Sequence, residues 1–324
     1  MPLRVVVTDP IVSRFASLFK NLGHEHDWQF VAHLSSAEQS QAIFEAEVLV
    51  CAKLSAEDAK ICSAGLVHVT GSGTDRLALA QLPGSTAIAR TAHHERSIAE
   101  HILMVIMAHQ RRLFKVTEEL RDGLWRTVST DSAVPMHHTF ADLTIGFIGL
   151  GAIGEQTLEF TSALGANAVA VRRTMPTCNP PNPRMTWVRD MNSLPELLEV
   201  SDVVVLGLPL TNETRGLIGS KELTQMRNDA LLINVSRGAI VDREALHLAL
   251  SNGTIGGAAL DVWWDAPQGT QAPTDVQDFA SLPNVICTPH YSGHAAQTFE
   301  MRVREITNNI NSFADQRPLS NTVG

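Results

Sequence analysis

The stretch Thr144-Ile145-Gly146-Phe147-Ile148-Gly149-Leu150-Gly151-Ala152-Ile153-Gly154 decides how this chain folds. Thr144–Ile148 is a short apolar, β-branched run, the signature of a buried strand. G-x-G-x-x-G comes next, and then a helical stretch to Gly165. The glycines have distinct physical roles, giving a tight turn, close approach of backbone to a pyrophosphate, and close packing of helix on strand. The helix start then turns free amides and a positive dipole end toward the phosphates. Gly149, Gly151, Ala152, Ile153 and Gly154 are therefore the candidate contacts for a dinucleotide. The motif by itself is weak, and its strand–turn–helix setting carries the reading.

The same rhythm continues downstream. Strands are expected at Ala168–Val171, Val203–Leu206, Leu231–Asn234, Ala258–Leu260 and Val285–Cys287, most of them separated by helical stretches. Right-handed crossovers would place them parallel in one sheet, with ligands beyond their carboxyl ends. The residues just past each strand are thus informative. After Val171 comes Arg172-Arg173-Thr174, with no carboxylate to hold an adenosine ribose. Two guanidiniums and a hydroxyl suit a 2′-phosphate, so NADP is expected ahead of NAD; two solvated arginines are the plainer alternative. The next strands end in Gly207-Leu208-Pro209 with Thr214 nearby, in Val235-Ser236-Arg237-Gly238, in Asp261, and in Thr288-Pro289-His290-Tyr291-Ser292-Gly293.

An arginine, an aspartate and a histidine thereby share an edge with the glycine turn. Reducing a 2-oxo acid needs a cation for the carboxylate, a proton donor for the forming alkoxide and a positioned nicotinamide. Arg237 meets the first need and His290 the second, since imidazole titrates near neutrality. Asp261 would accept a hydrogen bond from the nicotinamide carboxamide. A capping arginine, a loop-stabilising histidine and a turn-initiating carboxylate are the bland counterparts. Trp263 and Trp264 either wall a pocket or pack under their loop.

Upstream, strands are expected at Arg4–Val7, Gln29–Ala32, Val48–Cys51, Val67–Val69 and Ala87–Ala89, again in an α/β alternation. One long helix is expected from Ser97 to Gly123, with a Ser97/Glu100 capping box and Gly123 as its left-handed stop. Asp265–Leu282, rich in Pro, Gly and Gln, reads as a surface loop, and a last helix spans roughly Gly293–Ala314.

The 324 residues suffice for two domains, and 44% hydrophobic with 18% charged residues is a globular balance. A net charge of −9 argues against a general nucleic-acid or anionic-membrane surface. MPLRVVVTDP reads as a strand rather than a signal peptide, and no apolar run reaches the roughly 20 residues a bilayer needs. Cys51, Cys62, Cys178 and Cys287 are scattered, without a C-x-x-C pair, so free thiols in a reducing cytoplasm and no metal are expected.

GLGAIG, GLPLTNETRGLI (207–218), LINVSRGAIVD (232–242), AALDVWW (258–264) and NVICTPH (284–290) together resemble the D-isomer-specific 2-hydroxyacid dehydrogenase family in order and approximate spacing. The resemblance covers nearly the whole chain. It implies a Rossmann-type doubly wound cofactor domain (98–293) and a smaller flavodoxin-like α/β substrate domain made from both chain ends (1–97 and 294–324). It also implies a small 2-oxo or 2-hydroxy acid substrate and a homodimer formed through the cofactor domains. Under it Leu208, Pro209, Thr214, Val235, Ser236, Asp261 and Gly293 join the cofactor contacts, with Arg237 and His290. Gly71-Ser72-Gly73-Thr74-Asp75 resembles the loop whose amides hold the carboxylate, which singles out Ser72 and Gly73. Lys53 and Leu54 match a second substrate-facing loop more loosely.

One departure stands out. The family's catalytic glutamate falls on Ala266, leaving Asp265 or His94 as candidate substitutes near the histidine. Formate dehydrogenases of the same superfamily also lack that glutamate, but they carry asparagine where this chain has His94. A formate- or phosphite-type dehydrogenase, or an NAD(P)-sensing binding protein, are the competing expectations.

Overall fold

A computed structural model describes residues 2–175 and 182–323. Cys178, one of the four cysteines, lies outside the described residues, and Cys51, Cys62 and Cys287 are free thiols. The chain divides into two compact units, Met1–His94 with His294–Gly324, and Glu95–Gly293.

In the first unit β1 (Arg4–Val7), β2 (Asp27–Phe30), β3 (Val48–Cys51), β4 (Leu66–Val69) and β5 (Ala87–Arg90) form one parallel sheet in the order β2-β1-β3-β4-β5. This is the flavodoxin-like order. Runs such as VVV and VLVC are apolar at successive positions because helices cover both faces of the sheet. Val6, Leu49 and Val67 point into one core with Ile43 and Ala59. Val5, Val7, Val50 and Leu66 point into the other, against Phe299, Val303, Ile306 and Ile310. Those last four lie on helix Ala296–Ala314, so the chain's end completes this unit's core. β2 lies two residues before the expected Gln29–Ala32, where Trp28 packs on Phe19 at 5.1 Å between ring centroids.

In the second unit β6 (Thr144–Ile148), β7 (Asn167–Val171), β8 (Met185–Arg189), β9 (Val203–Leu206), β10 (Leu231–Asn234), β11 (Gly257–Leu260) and β12 (Val285–Cys287) are again all parallel. Their order, β12-β11-β10-β9-β6-β7-β8, is the doubly wound Rossmann arrangement, with its switch point between β6 and β9. β8 has no counterpart among the expected strands. It is an edge strand, mostly half-buried, whose Arg189 lies over the Trp187 ring at 4.5 Å, so its apolar signal is diluted.

Three expected elements change. The long helix is two, Glu95–Gln110 and Leu113–Arg121, broken where Arg112 takes a left-handed φ of 51°. The first begins before Ser97, so there is no Ser97/Glu100 capping box. The Ser97 hydroxyl instead donates to Ser292 O (2.6 Å), and Glu100 pairs with Arg96 (3.0 Å). Gly123 does take the left-handed conformation, φ 80°. The stretch 265–282 holds a helix, Thr274–Ala280, anchored by fully buried Asp275 and Phe279, with Phe279 stacked on Trp264 at 5.2 Å.

Candidate active site

The glycine turn comes after β6 at the switch point. Gly149 has φ +86°, and a Cβ there would lie 2.6 Å from Leu208 Cδ2 and 2.7 Å from Gly207 O. Gly207 mirrors it, since its own Cβ would meet Gly149 O at 2.7 Å. The loops after β6 and β9 are thus in backbone contact, which only glycine on both sides permits. A Cβ on Gly154 would sit 3.1 Å from Leu150 Cδ1, consistent with close helix–strand packing.

Gly151 differs from both. No protein atom lies within 4 Å of its would-be Cβ, and as N-cap of helix Ala152–Ala163 it brings no side chain to the first amides. Those amides, including Ala152 and Ile153, have no side-chain cap, and the space before them is open. A pyrophosphate fits this cradle by charge and by donor pattern.

Past β7, Arg172 is half-buried while Arg173 and Thr174 are exposed. The exposed Glu213 carboxyl is held below the usual range by the Thr211 hydroxyl first, and more weakly by Arg173. Leu208 packs against one core cluster of this unit and Val235 is buried in another. Thr214 braces its own turn, donating to Pro209 O (2.7 Å) and accepting from Thr211 N (2.8 Å).

Arg237 lies just past β10 and is half-buried, its Nη1 donating to Ser236 O at 2.8 Å. The turn carrying it is built by Asn234, fully buried, whose amide donates to Arg237 O (2.9 Å) and accepts from Ser236 N (3.1 Å). The Ser236 hydroxyl ties the turn to β9 through Leu206 O (2.6 Å). Gly238 then lets the next loop close in, since its Cβ would overlap Trp263 C and O at 2.4 Å. Arg237 and Asp261 therefore sit on neighbouring, backbone-packed loops. Asn234 escaped the sequence reading because nothing in LINVSRG marks an asparagine at a strand end as the turn's scaffold.

Asp261 has partners of its own within the fold. It is 1% exposed, and its carboxylate accepts from Thr288 Oγ1 (2.6 Å), Tyr291 N (3.0 Å) and Ser292 N (3.1 Å). Between those donors His290 stands exposed with φ +57°, a left-handed turn that aims the two following amides at one anion. Asp261 thus clamps the histidine loop. Trp263 Nε1 adds a bond to Thr288 O (3.0 Å), and Trp264 Nε1 donates to Val241 O (2.8 Å). With Phe279 against both rings, the two tryptophans pack under the loop. Asp275 accepts from Trp264 N (2.8 Å) and Asp265 N (3.2 Å), fixing the segment just before Ala266. The Asp265 side chain is exposed. Tyr291 meets His101 edge-on at 5.6 Å; burial lowers the His101 pKa, and the Asp261 charge partly opposes this.

In the first unit, Ser72 and Gly73 are half-buried on the loop after β4, at the sheet's carboxyl edge. Arg90 donates to Ser72 O (3.1 Å) and Thr91 N to Gly71 O (3.4 Å), so the end of β5 braces this loop. Lys53 is exposed, whereas Leu54 is 4% exposed and belongs to the core beside Leu77. The loose match that aimed Leu54 at substrate is therefore corrected: it is a packing residue.

The model of the D-isomer specific 2-hydroxyacid dehydrogenase NAD binding domain matches residues 103–292. The chain belongs to this family. A glycerate dehydrogenase of Methylorubrum extorquens is 30% identical over 262 residues, 78% of this chain and 77% of that protein. A glyoxylate/hydroxypyruvate reductase B of Pectobacterium carotovorum is 33% identical over 226 residues, covering 68% and 66%. A solved protein of Thermus thermophilus superposes with a TM-score of 0.79 at 27% identity, covering 99% of this chain and all of that one. The matched NAD binding domain spans the second sheet, and this member is an NAD(P)-dependent oxidoreductase of the 2-hydroxyacid type.

Proposed function

We propose that this dehydrogenase reduces a small 2-oxo acid, of the glyoxylate or hydroxypyruvate kind, to the D-2-hydroxy acid, using NADPH ahead of NADH. The observation that carries the reading is the shared edge. Arg237, the Asp261-clamped His290 loop and the Gly149–Gly154 turn all leave the carboxyl ends of one parallel sheet. Bound there, the nicotinamide supplies the hydride. Arg237 holds the carboxylate and polarises the carbonyl, and His290 delivers the proton to the oxygen that becomes the hydroxyl. Ser72 and Gly73, in the smaller substrate unit, receive the carboxylate. Arg172, Arg173 and Thr174 favour a 2′-phosphate, because the sequence that follows β7 carries no carboxylate to claim a ribose hydroxyl, although the Glu213 carboxylate lies near Arg173.

NADPH oxidation against a panel of 2-oxo acids tests this. Turnover is expected with at least one small acid, and Arg237→Ala should lower kcat/KM by about a hundredfold or more. Intact NADPH binding with no turnover on any acid would favour the sensor reading. NADP reduction by formate or phosphite would favour the other dehydrogenase class. Arg172→Ala combined with Arg173→Ala should raise KM for NADPH about tenfold while leaving NADH little changed.

The same reading places the enzyme in the cytoplasm as a homodimer. A run of exposed apolar side chains, among them Phe114, Leu120, Trp125 and Met136, lies along residues 104–136, with Trp125 72% and Met136 84% exposed. A second copy of this chain is the cover we assign to it.

A further inference from the structure

We infer that His94 is a positioning residue for the substrate carboxylate, held by Arg302 in one neutral tautomer so that the Ser72 hydroxyl offers its proton outward. The inference rests on the proposed role of Ser72 and goes beyond it. Three segments distant in sequence converge here within the first unit. Arg302, on helix Ala296–Ala314, donates from Nη2 to His94 Nδ1 (3.0 Å) and from Nε to Ala92 O (2.9 Å). Its guanidinium also lies 5.2 Å from the Phe299 ring centroid, which fixes its plane. His94, 8% exposed, places Nε2 3.4 Å from Ser72 Oγ.

Donor counting sets the protons. A guanidinium has donors only, so the Nδ1 it addresses carries no hydrogen and the ring's one proton sits on Nε2. Nε2–H then donates to Ser72 Oγ. With that lone pair engaged, the serine's own hydrogen turns away from the histidine toward whatever occupies the loop's open side. The loop therefore presents a hydroxyl donor where a carboxylate, which only accepts, needs one. Two other charges around this turn have partners of their own. Arg90 donates to Ser72 O, and Glu305 pairs with His93 (3.0 Å). The arrangement favours an oxygen acceptor, an anionic one most strongly, over a donor-only group such as an ammonium, which sharpens specificity for the acid end of the substrate.

The test combines kinetics with nitrogen NMR on the full-length enzyme. His94→Leu should raise KM for the 2-oxo acid about tenfold with kcat changed less than about threefold, the scale of one directed hydrogen bond. His94→Gln, which restores an N–H donor toward Ser72, should recover most of it, and Arg302→Met should behave like His94→Leu. The Kd for NADPH should stay unchanged in all three. In a double-mutant cycle, His94→Leu should add nothing to Ser72→Ala. A wild-type KM in His94→Leu, or fully additive losses, would overturn the inference. Long-range ¹⁵N correlations give an answer independent of turnover: a proton on His94 Nδ1 at neutral pH refutes the tautomer. If the wild type turns over no oxo acid yet shows the Nε2–H form, the functional reading has failed and the tautomer stands.

Discussion

His68 carries its whole hydrogen-bonding capacity inside the core of the first unit. Fully buried on β4, it donates from Nδ1 to Val69 O (3.2 Å) and accepts at Nε2 from Asn309 Nδ2 (2.9 Å), the opposite tautomer to His94. Burial pushes its pKa down to about 4, although the Val69 carbonyl and Glu305 pull upward. The unfolded chain, with histidine near 6.5, takes a proton that the folded state refuses. This contribution to stability is therefore intact above pH 6.5 and is lost as pH falls from 6.5 toward 4, at up to about 1.4 kcal/mol per unit. Urea midpoints measured from pH 7 to 4.5 should fall, and His68→Gln should flatten the slope. His26, His101 and His109, also depressed by burial, keep part of it. Asp261 makes a second prediction at this scale. Asp261→Ala strands two backbone amides and a hydroxyl, each unmet buried donor costing about 1–3 kcal/mol, so Tm should drop by several degrees. An unchanged Tm with weaker cofactor binding alone would make the nicotinamide contact, not the loop clamp, its main role.

Among the elements, the strand–turn–helix unit at residues 144–163 separates glycines that the packing requires from one, Gly151, that faces open space. Gly149→Ala meets both a left-handed φ and two contacts below 3 Å, so loss of stability and of cofactor binding should come together. Gly151→Ala enters space empty of protein. Its Tm should match the wild type while the Kd for NADPH, read by fluorescence titration, rises about tenfold or more. If both variants behave alike, the open cradle is not where the phosphates lie. The motif spacing was legible in the sequence. The difference between its first and second glycine was not, because it depends on Gly207 and Leu208, which arrive on another strand. The broken helix at Arg112 escaped for a similar reason. Its apolar period runs on through residues 113–116, and no glycine or proline marks the left-handed residue.

For the whole molecule, the exposed apolar side chains along 104–136 are what the proposed second copy would cover. Sedimentation velocity should show a species of twice the 35.2 kDa chain. Trp125→Glu with Met136→Glu should shift it to monomer without loss of NADPH binding, since Met136 lies with Leu143, Asp202 and Asp229 at the amino ends of β6, β9 and β10, opposite the glycine turn. A wild-type monomer at micromolar concentration would remove the assignment.

By itself, the sequence determined the alternation of strands and helices, the glycine turn, and the polar residues waiting past each strand of the second sheet. These are local signals: β-branched runs, glycine spacing, and a change of residue type at a strand's end all lie within a dozen positions. The tertiary structure alone decided who holds whom. Arg302 reaches His94 across 208 positions and Asn309 reaches His68 across 241, while Asp261 spends its carboxylate on a loop some 30 residues away. A buried donor or acceptor must find a partner wherever the fold supplies one, and no local pattern records which partner that is.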